Sequence, residues 1–153
     1  MTAKLSSDLA LVTGLYRTTN AAVRELDQRL IRDLEVTFIQ AVTLLAIDSF
    51  DKPQPHLVAD YLSQQSQTVT GVLDRLERAG HIARRRDLDD RRAVRLELTD
   101  SGRTVVDQIA ASLKGHVREV LEGFDTARRK DLKTDLDRLE VSIKSAHPSG
   151  VAS

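Results

Sequence analysis

The 153-residue chain contains no cysteine and no tryptophan, a single methionine and only three prolines. Without a thiol there is neither disulfide nor thiolate chemistry, which fits a reducing compartment and excludes a cysteine-based redox sensor. Aromatic residues are 3% of the chain, so leucine, valine, isoleucine and alanine must fill the core from within the 41% hydrophobic fraction. No run approaches the roughly 18 consecutive apolar residues needed to span a bilayer. The start, MTAKLSSDLA, lacks the basic-then-apolar order of a secretory leader. These absences predict a cytoplasmic protein with no membrane partner. Net charge is absent too, 23 basic residues balancing 23 acidic ones, which argues against a polybasic coat for nucleic acid.

The charge that is present is unevenly placed. Eight arginines (75, 78, 84, 85, 86, 91, 92 and 95) face four acids, Glu77, Asp87, Asp89 and Asp90, between Arg75 and Arg95. A local basic patch on a neutral chain suits a specific binder. The patch begins on a helix predicted from near Gln67, in which Val69, Val72, Leu73 and Leu76 share one face. That register turns Gln67, Gly71, Asp74 and Arg78 outward and puts Thr70 and Arg75 on the flanks. Gln, Thr and Arg side chains address base edges and phosphates, so the outward N-terminal half has the chemistry of a recognition helix. Asp74 there requires an arginine partner, or a place where the helix leaves the groove. Gly80 can adopt the left-handed conformation that ends the helix. Two strands are predicted next, Ile82–Arg86 and Ala93–Thr99, with Val94, Leu96 and Leu98 inward and Arg95 and Glu97 outward.

Helices flank this segment. Leu9, Val12, Tyr16, Val23, Leu26 and Leu30 form one stripe of a long first helix. Thr37-Phe-Ile-Gln40 has the form of a capping box and opens a second helix running to about Ser49. The prolines in Asp51-Lys-Pro-Gln-Pro55 end it, and a short third helix covers His56 to Leu62 before the polar turn at 63–66. Asp100 is placed to cap a fifth helix carrying Val106, Ile109, Leu113, Val117, Val120 and Phe124. Asp125 is placed to cap a last one carrying Leu132, Leu136, Leu139 and Ile143. The tail from His147 is expected to fray. The stripes on the first helix and the last two exceed what a small winged domain covers, so an intersubunit seam through Leu9, Val12, Val117, Leu132, Leu136, Leu139 and Ile143 is expected.

The run Thr-Val-Thr-x-x-x-Asp-Arg-Leu-Glu-x-x-Gly at 68–80 precedes Asp-Asp-Arg-Arg-Ala-Val-x-Leu-x-Leu-Thr-x-x-Gly at 89–102. Together they resemble the MarR family of bacterial transcriptional regulators, and the order of helices extends the resemblance over nearly the whole chain. It implies a mainly α fold with a small β-hairpin wing: a dimerisation helix at 1–34, a winged helix-turn-helix at 35–100 and dimerisation helices at 101–147, in one compact chain. It implies that Arg92 enters a minor groove while Asp90 helps to hold the hairpin. It also implies a homodimer on a pseudo-palindromic operator, most often a repressor, remodelled by a small molecule, aromatic acids being the effector class to test first. On this reading Arg84, Arg85, Arg86 and Arg91 neutralise phosphates, and Gln67, Thr68, Thr70 and Arg75 complete the double-stranded DNA surface.

Other chemistries have less support. The four histidines, His56, His81, His116 and His147, show no i, i+3 or i, i+4 pairing that would put two imidazoles on one helical face. Asp87, Asp89 and Asp90, set among arginines, suit salt bridges better than a cation loop. Neither a nucleophile-base-orienter set nor a glycine-rich phosphate loop occurs. No metal, cofactor or catalysis is therefore expected. The alternatives are a winged module that binds protein, or one that binds only a small molecule. If the DNA reading holds, peroxide at levels that oxidise cysteine leaves DNA binding unchanged in a gel shift; rapid release reversed by a thiol reductant would contradict it.

Overall fold

A computed structural model describes residues 6–146; Met1 and the tail from His147, including its expected fraying, lie outside them. The elements in chain order are α1 (Ser7–Leu34), α2 (Phe38–Ser49), α3 (Pro55–Tyr61), α4 (Ser66–Arg78), β1 (Ile82–Arg86), β2 (Val94–Leu98), α5 (Asp100–Val120) and α6 (Thr126–Ala146). The architecture is the mainly helical one with a two-stranded hairpin that the sequence leads one to expect. Residue contacts divide the chain into two compact units, one through Leu113 and one from Lys114, where the sequence suggests a single compact chain. No residue of α6 is buried, so that helix adds nothing to a core.

In the first unit, side chains near the helix ends fix the helices. Ser6 caps α1, and Glu35 in the left-handed region (φ 57°) ends it. The capping box at the start of α2 is present: Gln40 N–H donates to Thr37 Oγ1 (3.3 Å) while Thr37 N–H donates to Gln40 Oε1 (2.9 Å). Asp27 of α1 accepts a further α2 amide, Phe38 N–H, at 2.7 Å. Charge-assisted bonds of this kind are short and strong, and here one ties two helices together. Pro55 opens α3 as its first residue. β2 adds a backbone bond from Leu96 N–H to Pro53 O (2.8 Å), which anchors the hairpin base to the α2–α3 connection.

α4 supplies the centre of the core: Val69, Val72, Leu73 and Leu76 are each at most 2% exposed. They pack with Leu30, Leu44, Val58, Ile82, Leu96 and Ile109. α4 begins at Ser66, one residue earlier than the sequence suggests, with no side-chain cap. Gly80 (φ 80°) ends it in a Schellman arrangement, His81 N–H reaching Leu76 O and Gly80 N–H reaching Glu77 O, each at 2.9 Å.

Two expectations need correction. Asp100 is not the cap of α5 but its first residue; Thr99 is the cap, its Oγ1 accepting from Gly102 N–H at 3.0 Å and donating to Gly80 O at 2.6 Å. A single hydroxyl thus joins the end of α4 to the start of α5. Val94 does not point into the core with Leu96 and Leu98: it is 39% exposed because the hairpin has run beyond the helices by that point. Asp125 caps α6 as expected, accepting from Arg128 N–H at 2.9 Å.

The Thr99 junction leaves no room beside it. A Cβ built on Gly102 would lie 2.0 Å from the carbonyl oxygen of His81, so the backbones must separate before any side chain fits. Alanine gains at most about 1 kcal/mol in helix propensity. Forced displacement of packed backbone costs typically about 1–3 kcal/mol, occasionally more. Gly102→Ala should therefore lower stability by a net of up to about 3 kcal/mol, read as a reduced urea midpoint; a raised midpoint would show that the junction is not close-packed.

Candidate nucleic-acid interface

The outer face of α4 carries Gln67, Thr68, Thr70 and Arg75, all exposed. Thr70 donates its hydroxyl proton to Ser66 O at 2.9 Å, one turn back, leaving its oxygen free to accept. Arg75 bends toward the helix N-terminus and donates from Nε to Gly71 O at 3.1 Å. Asp74 has the arginine partner that its outward position demands. Arg84 Nη2 lies 2.6 Å from Asp74 Oδ1, and Arg84 Nη1 lies 2.5 Å from Glu77 Oε2. The Arg84 backbone N–H also donates to Glu77 Oε1 at 3.2 Å. Partial burial opposes the charge on Arg84, yet the Asp74 and Glu77 carboxylates outweigh it and raise its pKa above the ordinary arginine value.

Arg84 is thus engaged within the fold, its guanidinium clamping β1 to α4 with the side chain 25% exposed. The neighbouring arginines behave otherwise: Arg85, Arg86, Arg91 and Arg92 are exposed. Arg85 meets Glu97 at 3.5 Å with both side chains at least half exposed, an ion pair worth little in water. β1 and β2 pair antiparallel with Arg85 opposite Arg95, a juxtaposition of like charges that would weaken a hairpin unless each finds an acid. Glu97 serves the first. Asp87 serves the second.

Asp87 is the residue that sequence reasoning undervalued. Its side chain is 6% exposed. Oδ1 accepts the N–H groups of Asp89 (2.8 Å) and Asp90 (3.2 Å), and Oδ2 accepts from Arg95 Nη2 at 2.6 Å. The two backbone amides, followed by Arg95, outweigh desolvation and depress the Asp87 pKa below the ordinary aspartate value. The salt bridges expected of the three wing aspartates are present for Asp87 with Arg95 and for Asp89 with Lys52 (3.4 Å). Asp90 acts locally, accepting Arg92 N–H on Oδ1 at 3.0 Å and Ala93 N–H on its carbonyl at 2.9 Å. The signal for Asp87 was present in the sequence: an aspartate two and three residues before potential donors at a loop entry is an Asx-turn pattern.

The residues proposed for a seam all lie open. Leu9 and Val12 on α1 are 50% and 61% exposed, and Val117 on α5 is 42% exposed. Leu132, Leu136, Leu139 and Ile143 on α6 range from 37% to 59%. Among the described residues no group of three or more His, Cys, Asp or Glu side chains could hold a metal ion. His81 has a ring nitrogen 3.1 Å from Ser101 Oγ. Among the same residues no helix is long and apolar enough to cross a membrane.

A polar-faced helix on a Leu/Val core, followed by an arginine-bearing hairpin braced against it, defines a winged helix-turn-helix protein. The model of the MarR family matches residues 34–93, from the last residue of α1 to the residue before β2. Solved structures of the same fold include the transcriptional regulator BldR from Sulfolobus solfataricus, at TM-score 0.81 and 23% identity, covering 92% of this chain and 99% of that one. A Staphylococcus aureus MepR–DNA complex matches at TM-score 0.78 and 21% identity, covering 90% of this chain and 99% of that one. BpsR of Bordetella bronchiseptica, whose DNA binding is regulated by 6-hydroxynicotinic acid, matches at TM-score 0.71 and 25% identity, covering 85% and 98%. Over residues 34–93 by sequence, and over most of its length by fold, the chain is similar to MarR-family winged helix-turn-helix transcriptional regulators.

The depressed Asp87 pKa fixes the sign of a pH effect. A lowered folded-state value means that its contribution is fully present above the unfolded aspartate pKa of about 3.9 and is lost as pH falls through the folded value. Wing amides should exchange slowly at neutral pH and open on acidification below about pH 4. Asp87→Ala, which removes both acceptor oxygens, should open them at neutral pH as well. Exchange at the Asp89 and Asp90 amides that is the same in both proteins at pH 7 would remove Asp87 as the anchor.

Proposed function

We propose that the chain is a ligand-responsive, DNA-binding transcriptional repressor acting in the cytoplasm as a homodimer on a pseudo-palindromic operator. The observation that carries this reading is the joint arrangement of α4 and the wing. Arg84 holds the hairpin against the helix, Asp87 shapes its turn, and Arg86, Arg91 and Arg92 are left exposed without a carboxylate partner among the described residues. In this scheme Gln67, Thr68 and Thr70 meet base edges in a major groove, Arg85, Arg86 and Arg91 neutralise phosphates, and Arg92 enters the adjacent minor groove. Asp90 supports Arg92 through its backbone N–H, while Arg84 acts as a brace rather than a ligand for DNA.

The homodimer rests on the open apolar residues. α6 is a 21-residue helix without a buried side chain, yet Leu132, Leu136, Leu139 and Ile143 recur along it at helical spacing. Such a helix requires a partner, and an isologous pairing through it and through the stripe of α1 supplies one. Two-fold symmetry in the protein then asks for the same symmetry in the operator, with half-sites centred roughly 10 base pairs apart. The effector is proposed to be a small aromatic acid, in line with the regulation of BpsR by 6-hydroxynicotinic acid. It would act by favouring a dimer geometry whose recognition helices no longer match successive major grooves.

Three measurements test the scheme. The logarithm of operator affinity should fall linearly with the logarithm of salt concentration, at a slope of about −0.9 per phosphate neutralised. A flat response would overturn DNA binding. Arg92→Ala should weaken operator binding by about 1–3 kcal/mol in fluorescence anisotropy with little change in melting temperature, since an exposed hairpin tip supports no core. Wild-type affinity in that variant would exclude the minor-groove role. Replacing Leu136 and Leu139 with Glu should abolish dimerisation in light scattering together with full-site binding; a monomeric wild type at micromolar concentration would exclude the homodimer.

A further inference from the structure

Position 71 of α4 faces outward in the middle of the helix surface and carries no side chain. Glycine in a helix interior costs up to about 1 kcal/mol relative to alanine, and Gly71 has neither a positive φ nor a close backbone approach to require it. What stands over Gly71 is Arg75. Helical side chains lean toward the N-terminus and cover the turn before their own Cα. Arg75 follows that rule: its Nε donates to Gly71 O at 3.1 Å, and its Nη2 lies 3.6 Å from where a Gly71 Cβ would be.

We infer that Gly71 is a seat for the Arg75 guanidinium, and that Arg75, so placed, is the residue that reads a guanine in each half-site. The inference rests on the DNA-binding reading above and deepens it. Nε is committed to the helix backbone, which removes the freedom of the longest torsions and leaves the two terminal amino groups as one open edge. Two parallel N–H donors on a fixed edge match the O6 and N7 acceptors that guanine presents in the major groove. Among the described residues Arg75 has no carboxylate partner; the nearby acids Asp74 and Glu77 are both engaged by Arg84. Bending back also moves the charge of Arg75 from the C-terminal turns toward the turn of Gln67 and Thr68, the half of a recognition helix that reaches base edges.

The test uses the full chain and duplexes enriched from a random DNA pool, with affinities from fluorescence anisotropy. Wild type should prefer one G·C pair per half-site by about ten- to a hundred-fold over other pairs. 7-Deazaguanine at that position, which lacks the N7 acceptor, should cost a similar factor. Arg75→Lys keeps the charge without the planar fork and should lose the preference at that base pair while retaining it elsewhere. Gly71→Leu should give the same loss by occupying the seat, although leucine raises helix propensity, so a melting temperature at or above wild type separates the effect from unfolding. Gly71→Ala should keep the preference, because a methyl group at 3.6 Å is ordinary contact. A uniform loss over all sequences in Arg75→Lys would make Arg75 a phosphate contact and overturn the assignment, as would an unchanged preference in both Arg75→Lys and Gly71→Leu. If the wild-type chain enriches no sequence at all, the DNA-binding reading fails and this inference with it.

Discussion

The clamp of Arg84 on Asp74 and Glu77 is the contact on which the proposed DNA-binding surface depends. A two-stranded hairpin has little stability of its own, and this one extends beyond the core, as the exposure of Val94 makes plain. Hydrophobic packing holds only its base, through Ile82, Leu96 and Leu98. Above that base, one guanidinium satisfies two carboxylates on α4 and sets the distance between helix and wing. Because the clamp spans neighbouring elements, any DNA that engages the helix meets the wing at a defined spacing.

The clamp also decides which charges remain available. A neutral chain can present a basic surface only if its acids are used elsewhere, and here they are. Asp74 and Glu77 are engaged by Arg84, Asp87 by Arg95 and two backbone amides, and Glu97 faces Arg85. Arg75, Arg78, Arg86, Arg91 and Arg92 are left without a carboxylate partner among the described residues. The acids within the basic segment therefore give it shape, and the unpaired arginines give it a field. A strongly basic composition would have provided the field without fixing the geometry.

The apolar surface follows a comparable division. The first unit closes around α4 with leucines and valines almost wholly excluded from water, whereas α6 buries none of its residues. Their periodicities look alike in the sequence, since both follow helical spacing. Which stripe becomes core and which remains open depends on what the rest of the chain brings to it.

Much of this was legible in the residues. The α4 face, the capping box at Thr37, the helix stop at Gly80, the proline start of α3 and the hairpin all follow from local rules that act over three or four positions, which is why their boundaries differ from expectation by only a residue or so. Partnership across longer separations was not legible. That Arg84 turns inward to Asp74 and Glu77 while Arg86 stays out, that Thr99 rather than Asp100 caps α5, and that Val94 escapes the core are each decided by elements brought together in space. An arginine in a basic run has the same chemistry at every position, and its neighbours in the fold, absent from any local window, determine whether its charge is consumed or presented.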